Sequence, residues 1–344
     1  MANGASYPYP GLSIIGVTDP SVRELVTRFS AHAIAAWQMP DAETGIDWAS
    51  DLYHPNPIEL GDEIVKVPID LSRLDGFQEW AGYRKFRDTS LGALALSARH
   101  FDDSVGMDIN KAKRGLFGSW PEKGAELVQN GRLTLPRLVA DVIKNGKEST
   151  CACYDGKSLW NTAHLIDPLG KDVTANRQSN YKAAYGKFSV ATFKSGRTLM
   201  RQMRGLMPEP LGLGVSLVLG PTHMEDPFEE VLDVNKVIIQ NAGGTAADSN
   251  IVRGKAAWRI CSQLDTDPYV VANPGKHMWI KISLTRMNVR PFEAVQTNGG
   301  VPILKILGDD SEYAALHNRV GVVADQYVGV APAFYMTAIR FEET

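Results

Sequence analysis

The run from Thr134 to Pro168 restricts this chain more than any other, because a short amphipathic helix leads directly into a hairpin signal. In Thr134-Leu-Pro-Arg-Leu-Val-Ala-Asp-Val-Ile-Lys-Asn-Gly146, the apolar residues Leu135, Leu138, Val139, Val142 and Ile143 fall on one helical stripe. Thr134 stands where a cap accepts the first amide protons, and Pro136 lies in the first turn, where its missing N–H costs nothing. Asn145-Gly146 offers a left-handed stop. Next comes Cys151-Ala-Cys-Tyr-Asp-Gly-Lys-Ser-Leu-Trp-Asn-Thr-Ala-His164, in which Asp155-Gly156 is a two-residue turn signal between residues of strand preference. Asp167-Pro168 closes the loop.

The stretches before it are arranged very differently. Asp19 to Trp37 predicts a helix with Val22, Leu25, Val26, Phe29, Ala33, Ile34 and Trp37 on one face and Asp19 or Ser21 as cap. From Met39 to Pro57 the chain is rich in Pro, Asp and small residues and has no period. Structureless runs of that length are unusual inside a compact domain, so the expectation is an arm reaching onto a neighbouring subunit. Glu63–Ile69 is strand-like, with Pro68 demoting it to an edge or a bulge, and Leu91–Arg99 returns as its partner. Such a ribbon buries little core alone and needs something to lie on. Asp108–Gly131 predicts a kinked or two-piece helix, broken at Gly115, Gly118 and Pro121.

Past the hairpin, Ser189–Gly205 reads as a helix with Val190, Phe193, Met200 and Met203 inward, and Leu211–Leu219 as a strand. Thr222 and Glu225 have capping-box spacing ahead of a helix that turns Phe228, Val231 and Leu232 inward. In Met278–Arg286, Ile280, Ile282 and Leu284 alternate with Lys281, Ser283 and Thr285, the pattern of a half-buried strand. Arg319–Phe341 is apolar and β-leaning. Helices and strands are interspersed without a regular βα repeat, so the expected class is α+β.

Function classes narrow by exclusion. A length of 344 residues suits about two domains, or one with long extensions, and 44% hydrophobic with 22% charged residues is ordinary for a packed soluble protein. A net charge of −3 gives no global pull toward nucleic acid. Three cysteines make no disulfide framework, and Cys151 and Cys153 read as small buried hydrophobes in a reducing compartment. No signal peptide, membrane span, metal site or cofactor is expected. Asp155-Gly-Lys-Ser158 lacks the glycine a phosphate loop needs at position 151, which is Cys, and Leu211–Gly220 carries its glycines inside a strand pattern. His100-Phe-Asp-Asp103 reads as a polar strand end with Asp103-Ser104 starting the next helix. His164 has no nucleophile in a recognisable motif. Arg84, Lys85 and Arg87 interleave with Trp80, Tyr83 and Phe86, the residue types that anchor protein interfaces. No catalytic residue is assigned.

At Trp80-Ala-Gly-Tyr-Arg84, followed some seventy residues on by Tyr154-Asp-Gly-Lys-Ser-Leu-Trp-Asn-Thr-Ala-His164, the chain resembles the Mu-like phage major head subunit family. The family has a Trp-x-Gly-x-Arg segment and, after a helix, a Tyr-Asp-Gly…His hairpin; here Trp160 falls where it tends to carry an aromatic. The resemblance implies the tailed-phage (Hong Kong 97-like) major capsid fold. On it, residues 1–62 are an N-terminal arm, 63–107 an extended loop, 108–184 a peripheral domain with spine helix and hairpin, and 185–310 an axial domain. Residues 311–344 are strands returning to the peripheral domain. The implied function is a major capsid protein, not an enzyme, that self-assembles as hexamers and pentamers into an icosahedral shell around packaged double-stranded DNA, without sequence-specific contact. The implied partners are further copies, scaffold and portal proteins and decoration proteins, with assembly in the host cytoplasm and residence in the virion. Trp80, Tyr83, Arg84 and Phe86 are the candidate inter-subunit contacts. Tyr154, Asp155, Gly156, Trp160 and His164 are the structural turn and hairpin. The alternatives are a non-viral compartment shell of the same fold and a soluble hydrolase using Asp155 and His164 with Asp102 or Asp103.

Overall fold

The computed structural model describes residues 12–40, 46–59, 64–69, 92–168, 170, 172–205, 209–234, 236–241, 244–286 and 289–344. The N-terminal part gives β1 (Leu12–Ile15), α1 (Pro20–Gln38), α2 (Asp47–Ser50), β2 (Tyr53–Ile58), β3 (Ile64–Ile69), β4 (Gly92–Ser97) and β5 (Arg99–Asp108). Then come α3 (Ile109–Lys113), α4 (Lys123–Lys144), β6 (His164–Leu165), β7 (Arg177–Gln178), β8 (Tyr181–Tyr185), α5 (Val190–Arg201), β9 (Leu217–Gly220) and α6 (Glu225–Leu232). The remainder supplies β10 (Lys236–Asn241), β11 (Gly244–Ser249), β12 (Ala257–Ile260), α7 (Pro268–Ala272), β13 (Met278–Ile282) and β14 (Phe292–Thr297). It ends with β15 (Ile303–Leu307), α8 (Glu312–His317), β16 (Arg319–Pro332) and β17 (Ala338–Glu343).

Two sheets carry the molecule, and α4 joins them. In the first, β14 and β15 lie end to end along one edge of β16 and β5 runs along the other, all antiparallel to it. The break between β14 and β15 is made by Asn298, Gly299 and Gly300 at φ 49°, 65° and 84°, a left-handed run that glycine tolerates best. Outside them β1 pairs in parallel with β15 and β2 with β14. The second sheet has the order β12-β9-β13-β17-β8. At about 33 Å for its 22 residues, α4 is long enough to cover both. Leu127 and Val128 near its start pack with Phe29 of α1 and Leu304, Ile306 and Val322 of the first sheet. Val139, Ala140 and Ile143 near its end join the second core with Leu159, Trp160 and Trp279.

Several expectations change here. The helix expected to start at Thr134 starts at Lys123. Thr134 is therefore not its cap; its hydroxyl donates to the Asn130 carbonyl at 3.1 Å. Pro136 sits inside the helix. Gly131, the last residue of the upstream helical pattern, is a packing residue inside the helix: a Cβ there would lie 2.0 Å from Pro302 Cγ. The expected two-piece pattern does appear upstream, where Gly115 (φ 71°) and Gly118 (φ 53°) separate α3 from α4.

Residues expected to reach out as an arm are, where described, part of the chain's own core. Asp19 caps α1 by accepting from Ser21 N–H at 2.8 Å, and Leu25 and Phe29 are wholly buried. Tyr53–Ile58 is a sheet strand. Two prolines in six residues hid it, and β2 tolerates them because it lies at the sheet edge. Asp103, expected to open a helix, lies inside β5, and the next helix is capped by Asp108. Thr222 and Glu225 form no capping box; the Thr222 hydroxyl donates to Asp265 at 2.6 Å instead. A capping box does form where none was read, between Ser189 and Thr192 at the start of α5.

β13 is buried on both faces rather than one. Trp279 and Lys281 point to the side covered by α5 and α6, while Met278, Ile280 and Ile282 face the other. The alternation in the sequence was real, but helices cover both sides. Lys281 is wholly buried. Its ammonium donates to the Phe193 carbonyl at 2.8 Å and lies 4.6 Å and 5.0 Å from the rings of Phe193 and Phe341. Burial drives its pKa down to about 7, with Arg197 adding to the shift.

Candidate functional site: the hairpin at the end of the long helix

The last turn of α4 exposes carbonyls that need donors, and the hairpin supplies them. The Trp160 indole donates to the Ile143 carbonyl at 2.7 Å, and the Arg340 guanidinium reaches the same oxygen at 3.3 Å. Asn145 has φ −89°, so no left-handed stop forms. Gly146 is needed for another reason: a Cβ there would lie 2.5 Å from Trp160 Nε1. Its carbonyl accepts from Trp160 N–H at 2.8 Å.

The turn is a three-residue loop rather than the two-residue type read from Asp155-Gly156. Gly156 N–H donates to the Cys153 carbonyl at 2.9 Å, and Cys153 N–H donates to Lys157 at 2.8 Å. Gly156 takes φ 71°, the left-handed residue that completes this class of hairpin. Asp155 then organises what surrounds it. One carboxylate oxygen accepts from Lys157 N–H at 3.1 Å; the other accepts from Leu165 N–H at 2.9 Å and faces His164 Nδ1 at 2.8 Å. His164 Nε2 faces the Leu159 carbonyl at 3.0 Å, and the ring stacks on Tyr335 at 3.8 Å and 5°. Tyr335 donates its hydroxyl proton to the Leu165 carbonyl at 2.9 Å and accepts from Gln178.

Both side chains of the Asp155–His164 pair are 0% exposed. A hydrolytic dyad must meet substrate, and this one meets only protein. Asp102 and Asp103, the proposed helpers of the hydrolase alternative, lie on β5 of the other sheet. The nearby thiol is unsuited to attack: burial, then the charge of Asp155, push Cys153 well above the ordinary thiol range. Tyr154 is likewise pushed up by burial. Among the described residues no group of three or more His, Cys, Asp or Glu is placed to hold a metal ion, and no helix is long and apolar enough to cross a membrane.

A second buried cluster, not read from the sequence, ties the C-terminal strand to the same helix end. Arg340 makes a two-pronged contact with Asp267 at 2.7 and 2.8 Å and a third bond to Glu342 at 2.8 Å. Glu342 also pairs with Lys147 at 2.7 Å and accepts from the Tyr181 hydroxyl. Desolvation followed by the bond to Glu342 raises the Tyr181 pKa. The available signal was Arg340 and Glu342 at strand spacing in an otherwise apolar tail.

The candidate contacts Trp80, Tyr83, Arg84 and Phe86 lie outside the described residues. What is described of the ribbon that frames them is β3 paired with β4, Ile64 opposite Ser97 and Ile69 opposite Gly92. Its root is anchored by Val67, Leu96 and Ala98 packing on Val295.

Residues 70–189 match the family model described as Mu-like prophage major head subunit gpT. The chain is similar to the major head subunits of Mu-like phages. The matched segment holds both motifs on which the resemblance rests, Trp80–Arg84 and Tyr154–His164. It bears out the reading of a major capsid protein, a structural component of the virion that assembles into a shell. The mixture of helices and sheets bears out the α+β class. No curated protein matches. Among solved structures, the procapsid of bacteriophage JBD30 is 15% identical, covering 95% of this chain and 77% of that one, with TM-score 0.48. The virus-like particle from Pyrococcus furiosus is 9% identical, covering 93% and 100%, with TM-score 0.46. The holo-SrpI encapsulin complex from Synechococcus elongatus PCC 7942 is 10% identical, covering 86% of each chain, with TM-score 0.44.

Proposed function

We propose that this chain is the subunit of an icosahedral phage head whose copies assemble, as hexamers and pentamers, around packaged double-stranded DNA. The observation that carries the reading is the match over residues 70–189, which spans the Trp80 segment, α4 and the hairpin together. The structure supplies compatible parts: a two-stranded ribbon, a long helix under two sheets, and buried polar clusters that stiffen rather than react. In this proposal the peripheral part is built on α4 and its hairpin, the axial part on the second sheet, and the extended loop on β3–β4. Scaffold, portal and decoration proteins are the partners proposed with it, assembly taking place in the host cytoplasm. DNA is enclosed without being read.

Trp80, Tyr83, Arg84 and Phe86 are assigned to the inter-subunit contact. An aromatic and arginine cluster anchors interfaces efficiently, and weak contacts repeated around a closed shell add through multivalency. Expression of the full chain followed by negative-stain imaging and sedimentation tests the reading. Shells or capsomers are expected; a small, concentration-independent oligomer with no particles refutes it. The Trp80→Ala/Arg84→Ala variant should stay folded and soluble yet form no shells. Normal particles from that variant remove these residues from the contact. Nucleic acid inside purified particles, against protein cargo, separates a phage head from a compartment shell.

A further inference from the structure

Between residues 182 and 204 the chain carries six Lys or Arg and no acid, and between 205 and 235 six Asp or Glu and no Lys or Arg. The structure turns this block pattern into two stripes on one face of the second sheet. α5 lies over β13 and β17, with Gly196 against Lys281 and Phe341; α6 lies over β9 and β12, with Phe228 against Gly220 and Trp258. Phe188 fills the gap between them, its ring 6.3 Å from Phe193 and 4.9 Å from Phe228. Lys194, Arg197 and Arg201 recur at helical spacing on the outer side of α5, with Lys187 before it and Lys182 on the neighbouring edge strand β8. Glu225, Asp226, Glu229 and Glu230 line the exposed side of α6.

Among the described residues none of these five cations and none of these four carboxylates makes an ion pair. Elsewhere the exposed charges often do pair, as in Arg28–Glu24, Lys123–Glu126, Arg177–Asp172 and Arg259–Asp47. Arg253 donates its Nε–H to the Asp233 carbonyl at 2.9 Å, past the C-terminal end of α6 and beyond the four carboxylates. Each stripe repels a copy of itself and attracts the other.

We propose that this face is a head-to-tail contact between copies of the chain, the basic stripe of α5 and β8 on one subunit meeting the acidic stripe of α6 on the next. A heterologous contact of this kind closes into a ring when the rotation between neighbours fits. The proposal rests on the shell-forming reading and adds to it the surface that sets neighbour orientation. Its partner is a second copy; a polyanion such as duplex DNA, which would satisfy the basic stripe alone, leaves the acidic one unexplained.

Charge reversal on the full chain tests it. The variants are Lys187→Glu/Lys194→Glu/Arg201→Glu, Asp226→Lys/Glu229→Lys/Glu230→Lys, and the two sets combined. Each triple variant should cut sedimenting particles by about tenfold or more, because close like charges at an interface oppose association strongly. The combined variant restores complementarity and should recover assembly. Thermal melting verifies that each is folded, and the matching Gln and Asn substitutions, which remove charge without reversing it, give a smaller loss if a reversed chain misfolds. Undiminished particles from both triple variants, or a folded combined variant that fails to recover, overturns the contact while leaving the shell reading intact. So does a basic-stripe variant that assembles normally and loses only retention of duplex DNA. Absence of particles from the unaltered chain takes down both readings at once.

Discussion

Lys281 is the side chain whose environment departs furthest from what its chemistry favours. In the unfolded chain its ammonium keeps the ordinary value of 10.5; in the core it falls to about 7. Between those values the unfolded state binds more protons, so this group makes stability rise with pH from about 7 toward 10.5 and leaves its full penalty in place below. Lys281→Met should therefore stabilise the fold at pH 7 by roughly 1–3 kcal/mol, with the gain shrinking by pH 10. Urea unfolding at the two pH values checks it, and a gain independent of pH would refute the account. The Asp155–His164 pair behaves oppositely, since removing one partner strands the other in the core. Asp155→Asn should cost about 3–5 kcal/mol, and replacing both residues together less than the two single changes summed. Denaturant unfolding of the three variants measures the coupling directly. His277 adds a smaller term. Burial lowers its pKa from 6.5, and its Nδ1 accepts from Phe188 N–H at 3.0 Å. Its contribution is present above pH 6.5 and fades as pH falls below it.

At the scale of elements, α4 shows how a sequence signal can be right in kind and wrong in extent. The stripe from Leu135 to Ile143 is a helix face, and it does end where the hairpin begins. Its upstream boundary escaped reading because Gly131, Thr134 and Pro136 all look like punctuation. In the fold Gly131 admits Pro302, Thr134 bonds back to Asn130, and Pro136 is buried within the helix. Propensity alone credits Gly131→Ala with about 1 kcal/mol of stabilisation. Contact with Pro302 reverses the sign, and the variant should lose about 1–3 kcal/mol. A rise in melting temperature would show that the helix can move away from Pro302. β2 and β13 make the same point from the strand side. Prolines disguised an edge strand as an arm, and Lys281 disguised a doubly covered strand as a half-exposed one.

For the whole molecule, the proposed shell-forming role puts the weight on surfaces rather than on a cleft. Asp155 and His164 are sealed inside the hairpin, and the buried Arg340 ties β17 to the end of α4, while Asp102 and Asp103 stay exposed on β5 of the other sheet. Unpaired basic charges line α5 and unpaired acidic charges line α6, the two stripes of the proposed contact between copies. Assembly of the unaltered chain should accordingly be weakened as ionic strength rises from about 0.1 M to 1 M, since screening contracts from about 10 Å to about 3 Å. Light scattering during assembly follows this, and an unchanged extent across that range would show that apolar contacts dominate. The sequence by itself determined the α+β class, the capped α1, the helix-then-hairpin order and the two motifs of the Mu-like head subunits. Those signals are local, written in spacing, turns and caps within a few residues. Only the tertiary structure decided which of two faces a strand buries, that Asp155 and His164 meet each other rather than a substrate, and that Arg340 joins Asp267 and Glu342. It alone set the two charge blocks side by side on one sheet. Each of those depends on which distant segments pack together, and no window of neighbouring residues encodes that.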